Sequence, residues 1–177
     1  VLSVMDTVLG TRKVTYGEVE LDFAAEWPEV DYRQEVAKRT GIDLTVVRDF
    51  DTLRERIKEH ELDVEGAKSY AALVDLLYKR TVRPHLIQPC YLTHHPAELV
   101  PLARRSDDDP QRLDMFQVVV NGWEVVKAYS ELVDPVEQRR RLDEQAELRA
   151  AGDDETMMME EDFIEAMEYG MPPMSGL

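Results

Sequence analysis

Cysteine is nearly absent from this sequence: Cys90 stands alone among 177 residues. One sulfur builds neither a disulfide framework nor a thiolate cluster for zinc, so Cys90 reads as a small core residue. Long hydrophobic runs are missing as well. None approaches the roughly 20 residues that a bilayer-crossing helix needs, and the first residues lack the pattern of a signal peptide, so a cytoplasmic protein with no membrane partner is expected. Positive charge is scarce: 21 Lys and Arg against 37 Asp and Glu leave a net charge of −16. Phosphate backbones demand clustered cations, which excludes this stretch as the main grip on a nucleic acid. Its one compact basic run, Arg139-Arg140-Arg141, reads as the solvated side of a helix. The chain begins at Val1 with no initiator methionine and stops at "EYGMPPMSGL", a turn-forming sequence that leads into another element, so a piece of a larger domain is expected.

What remains is ordinary globular material, 44% apolar and 33% charged, without internal repeats. "KVTYGEVELDF" (13–23) predicts a hairpin about Gly17. A helical region over 31–83 follows. "DYRQEVAKRTG" is a short helix stopped by Gly41, with Lys38 and Arg39 complementing its C-terminal dipole. "DFDTLRERIKEHEL" (49–62) is a second, capped by Asp51 and carrying Leu53 and Ile57 inward. In a third, Ser69 caps "YAALVDLLYKR", whose Tyr70, Leu73, Leu76 and Leu77 share a face, and Pro84 forbids much continuation.

Residues 86–132 predict strands. "LIQPCYL" (86–92) holds Pro89, which places it at a sheet edge or a bulge. The pair His94-His95 reads as a solvated loop, since no third ligand stands at metal-binding spacing. Asn121-Gly122 between "MFQVVV" and "WEVVKAY" is a strong hairpin signal, because both central positions of a type I′ turn need positive φ. Helices follow over 134–170. Asp134 caps, Pro135 takes the first position, Glu137 completes a capping box and Gly152 stops the first helix. Phe163, Ile164 and Met167 face inward from the last, and Met157-Met158-Met159 fills gaps in the core.

The hairpin carries charge on strands that are otherwise apolar. With a regular ladder Val119 faces Glu124 and Gln117 faces Val126, so Gln117, Val119, Glu124 and Val126 share one side. Lys127, Tyr129 and Glu131 then point to the other side, unless a bulge after Glu124 brings the two sets together. Buried carboxylates left alone cost several kcal/mol. An internal ion pair between Lys127 and Glu131 would account for them; so would a pocket for a cationic ligand.

The run "EVVKAYSELVDPVEQRRRLDEQAELRAAGDDE", continued by "DFIEAMEYGMPP", resembles the catalytic domain of class II lysyl-tRNA synthetases. So does "LIQPCYLTHHPAELVPLARR", and more weakly "KVTYGEVELDF", so that the likeness covers nearly all of 1–177. It implies an α+β fold, an antiparallel sheet flanked by helices, present here in part. It implies ATP and magnesium (Mg2+) used to form a lysyl-adenylate, then transfer of the lysyl group to the acceptor end of tRNA by a full-length homodimer. By resemblance, Gln117 and Glu124 stand at metal positions, Glu124 also at an ATP position, and Lys127, Tyr129 and Glu131 at lysine-contacting positions. Glu131 would meet the ε-ammonium and Tyr129 would supply a wall and a hydroxyl. Glu124 and Glu131 are expected in a single cavity. The family's dimer-forming motif, its motif holding ATP with an arginine and its closing nucleotide-clamping motif would lie outside this stretch, so activity of the piece alone is not expected.

Two positions depart from the family pattern. Residue 117 is Gln where the family has Glu, and residue 127 is Lys where it has Asn. A neutral amide is a weaker magnesium ligand than a carboxylate. Either the new ammonium compensates for lost metal charge, or the site has decayed and Lys127 pairs with a neighbouring glutamate. Other function classes stay open beside the tRNA ligase: a ligase transferring lysine to a protein, and a non-catalytic lysine-binding module.

Overall fold

Three side-chain oxygens fix where the first half of the chain turns helical. Asp31 accepts a bond from the amide of Gln34, Asp49 from Thr52 and Ser69 from Ala72, each satisfying a donor that a helix start leaves orphaned. In the computed structural model of the chain, residues 1–153, 156–158 and 160–176 are described. The elements run α1 (Leu2–Val8), β1 (Lys13–Tyr16), β2 (Val19–Asp22), β3 (Glu29–Asp31), α2 (Tyr32–Thr40), α3 (Phe50–Lys58), α4 (Tyr70–Thr81), β4 (Cys90–Thr93), β5 (Met115–Val120), β6 (Trp123–Ser130), α5 (Pro135–Ala150), α6 (Glu161–Glu168) and β7 (Ser175–Gly176). Strands β1 and β2 form the expected hairpin, and the other five make one sheet in the order β3-β4-β5-β6-β7. This is an α+β arrangement. Its ladders are antiparallel except for β3 with β4, which run parallel. Parallel neighbours need a long crossover, and α2, α3 and α4 supply it.

That crossover builds the main core. Val36, Leu53, Ile57, Leu73 and Leu77 are fully buried against Leu92 and Val119 of the sheet. Tyr32 stacks on Tyr78 with ring centroids 4.7 Å apart. Each buried aliphatic side chain contributes about 1.5–3 kcal/mol, so the three helices are held chiefly by apolar area. The opposite sheet face is also apolar, with Leu21, Val118 and Val120 packed beside Phe116 and Trp27. Among the described residues no helix is long and apolar enough to cross a membrane.

Several expectations need correction. The cap of α3 is Asp49, with Asp51 inside the first turn; either Asp could accept the bond, and the helix begins one residue after Asp49. Pro89 precedes β4, so its missing N–H costs nothing and β4 sits inside the sheet rather than at its edge. In α6 Ile164 and Met167 are buried, and they leave Phe163, one residue round the helix, 36% exposed. Met157 and Met158 are exposed rather than core, and Met159 lies outside the described residues. Asp134 caps α5 as expected, but the Glu137 side chain turns along the helix to Arg140 and Arg141 instead of closing a capping box. Arg141 is buried, not solvated: its guanidinium donates to the carbonyl of Ala103 at 2.6 Å.

Candidate functional site

Asn121 and Gly122 both adopt positive φ, +51° and +72°, closing the β5–β6 hairpin as a type I′ turn. Their amides donate to the carbonyls of Ile87 and Leu86, which ties the turn to the segment entering β4. A Cβ on Gly122 would stand 3.3 Å from the Arg83 carbonyl oxygen, so the turn is pressed against the end of the helical layer.

The hairpin is regular for only two pairs. Val120 opposes Trp123 and Val119 opposes Glu124, but Val118 opposes Val126, leaving Val125 as the extra residue of a bulge. From there Gln117 opposes Lys127 and Met115 opposes Tyr129. Directly opposed residues share a face, so the insertion puts Gln117, Glu124, Lys127 and Tyr129 on one side, facing the helices. Val126, placed with Gln117 by a regular ladder, turns instead to the apolar side with Val118.

These four side chains line a cleft of about 1000 Å³. Asp75 and Tyr78 of α4 form one wall, and Gln145 and Leu148 of α5 another. Within it runs a hydrogen-bond chain. The Gln117 amide Nε2 donates to Glu124 Oε2 at 2.8 Å, and Gln117 Oε1 faces His95 Nε2 at 3.0 Å. A carboxylate oxygen has no hydrogen to give, so it must receive the amide N–H, and the imidazole must donate to the oxygen left over. His95 is 2% exposed, and burial pushes its pKa down to about 4, so the ring donates as the neutral form at pH 7. This corrects the reading of His94-His95 as a solvated loop. His94 has φ +56° and bonds through its ring to Asp31, and that left-handed step sends the next side chain inward. No residue type in "LTHHP" announces such a backbone.

Glu131 stands beyond the end of β6, bridged to Ala103, with its amide donating to the carbonyl of Met174. It is not among the residues lining the cleft, so the expected single cavity with Glu124 is not what the molecule has. Its Oε1 lies 3.1 Å from the place a Cβ on Gly176 would take. Gly176 opposes Tyr129, so the carboxylate rises over the same sheet face as that tyrosine. Burial raises the pKa of Glu131; burial, and then the Glu131 charge, raise that of Tyr129. Lys127 is exposed, its Nζ 5.9 Å from the centre of the Tyr129 ring. Among the described residues it has no ion-pair partner, so neither the pairing with Glu131 nor that with another glutamate forms.

The family model described as tRNA synthetases class II (D, K and N) matches residues 1–177, the whole chain. The chain belongs to this class II tRNA synthetase family. Among curated proteins it is similar to the lysine–tRNA ligase of Chloroflexus aurantiacus, 44% identical over 170 residues that make up 96% of this chain and 35% of that protein. The lysine–tRNA ligase of Bacillus subtilis is 37% identical over 177 residues, 100% of this chain and 36% of its own. That of Thermosipho africanus is 38% identical over 174 residues, 98% and 34%. The chain thus spans about a third of the length of the curated relatives it matches.

For a class II synthetase of this group, magnesium at Gln117 and Glu124 is the point to test against the donor set. Magnesium takes hard oxygens in octahedral geometry, commonly one or two carboxylates with substrate phosphates and waters. Here both ends of the Gln117 amide are engaged, one Glu124 oxygen is taken by that amide, and Lys127 adds a positive charge opposite Gln117. Among the described residues no group of three or more His, Cys, Asp or Glu could hold a metal ion. The residues present do not fit the ion.

Proposed function

We propose that this chain is a catalytic-domain portion of a lysine–tRNA ligase, in which the sheet face from Glu124 to Glu131 receives lysine and ATP. In the whole protein, proposed to be a cytoplasmic homodimer, lysine is joined to ATP as a lysyl-adenylate and passed to the acceptor end of tRNA. The observation that carries the reading is the bulge at Val125. It gathers onto one face the side chains that the family resemblance assigns to the substrates.

Each group has a chemical task there. Glu131, half-buried over Gly176 with no cation beside it among the described residues, is a carboxylate waiting for an ammonium; a charge-assisted bond of that kind contributes about 1.5–3 kcal/mol. Tyr129 lines the cleft two residues before Glu131 and offers its ring as a wall for the aliphatic stem of lysine and its hydroxyl as a polar contact. Glu124, held by Gln117 and through it by His95, is fixed in orientation at the nucleotide end. By the resemblance, the family's motifs that clamp ATP in line with the amino acid belong to other parts of the whole protein, and holding reactants in line supplies much of the rate, so adenylate formation by the isolated chain is not expected.

Calorimetry with lysine tests this. Wild type is expected to bind lysine, and Glu131→Gln to bind it at least tenfold more weakly, with norleucine, which lacks the ammonium, failing on both. Equal lysine binding by wild type and Glu131→Gln would overturn the assignment. Lysine binding without ATP binding would favour a non-catalytic lysine-binding module.

A further inference from the structure

The sheet face holds an ammonium with no ion-pair partner among the described residues, beside a carboxylate that is already hydrogen-bonded, and that combination selects against a divalent cation. Gln117 is engaged at both ends: one N–H serves Glu124 at 2.8 Å and its oxygen takes the His95 donor at 3.0 Å. The His95 ring that holds it is itself buried. Glu124 therefore presents one free oxygen. Glu124 and Lys127 carry one charge of each sign on the same side of the strand, so their formal charges cancel where a magnesium site would need a surplus of negative charge. The ammonium meanwhile stands exposed above the Tyr129 ring, with no described carboxylate to neutralise it.

We propose that this chain has exchanged a bound metal for a fixed cation: Lys127 meets a phosphate oxygen of the nucleotide, and the His95–Gln117–Glu124 chain holds no divalent ion. An ammonium is a compact charge with three donors on a flexible stem, suited to a phosphate oxygen without the coordination geometry a metal demands. The inference rests on the reading of this cleft as a nucleotide site, but its metal half can be tested apart from it.

Manganese, followed by its electron-spin resonance signal, is the probe for that half. Wild-type chain is expected to leave Mn2+ free at concentrations where the Gln117→Glu/Lys127→Asn variant binds it at least tenfold more tightly. Equal binding by the two would overturn the proposal, and so would a double variant that gains no Mn2+. For the phosphate half, ATP affinity is compared with and without EDTA. Wild type is expected to change less than threefold, the double variant to lose tenfold or more, and Lys127→Met to lose tenfold whether or not EDTA is present. A wild type whose ATP binding collapses in EDTA refutes the exchange. If no variant binds ATP under any condition, the phosphate half falls together with the nucleotide reading, while the manganese result still decides whether the metal has been lost. Circular dichroism confirms that each variant keeps the wild-type fold; Lys127 is exposed, and Lys127→Asn alone separates its effect from that of Gln117.

Discussion

The two walls of the cleft are fastened in different ways. Helix α4 buries Leu73, Val74, Leu77 and Tyr78, all apolar or aromatic. Helix α5 buries Gln138, Arg141 and Leu142, and two of those three are polar. Gln138 and Arg141 reach the carbonyls of Pro101 and Ala103, while Leu142 joins Ile164 and Met167, with Met171 against them, in a small cluster. One wall is thus held by area, which has no direction and ignores pH. The other is held by a few aimed bonds from charged and amide groups, which do. A cleft built between two such walls has one side set by packing and one side set by electrostatics.

The contrast can be broken most forcefully at Leu77. Leu77→Ala leaves a cavity in the larger core and should cost about 2–5 kcal/mol, read as a lowered urea midpoint that shifts equally at pH 7 and pH 3. Arg141→Met should cost less, about 1–3 kcal/mol, because the methionine keeps the packing but strands the Ala103 carbonyl. Hydrogen exchange should show that loss in α5 and the 101–103 segment, with α4 unchanged. A loss spread evenly over both helices would mean the walls are one cooperative unit.

The smallest effect sharpens the comparison by pH. Arg140 first, then Arg141, hold Glu137 down to about 2 from an ordinary 4.5. A carboxylate lowered in the folded state stabilises fully above its unfolded value and loses that contribution as pH falls. The wild-type midpoint should therefore drop between pH 4.5 and about 2, and Glu137→Gln should flatten part of that slope. An unaltered slope would assign the acid sensitivity to other carboxylates.

The same division explains what could be read beforehand. Features governed by local chemistry were legible: Ser69 and Asp134 as caps, Gly41 as a helix stop, Asn121-Gly122 as a turn. So was the α+β class, through resemblance. Features governed by long-range partners were not. Arg141 looked like a solvated cation because nothing near it in sequence reveals the Ala103 carbonyl, 38 residues away. His95 looked like a loop residue because its inward turn depends on the positive φ of His94. The bulge lay between these cases: it could be named as a condition, but its presence depends on what the two faces pack against.

Val125 itself is 51% exposed, so its own packing contributes little. What it supplies is parity. Exchanging that valine for another residue should leave Lys127 and Tyr129 where they are, whereas shortening the strand by one there would carry both through the sheet to the Trp27 side. The substrate face is encoded in an odd count of residues, to which a tally of matching letters is blind.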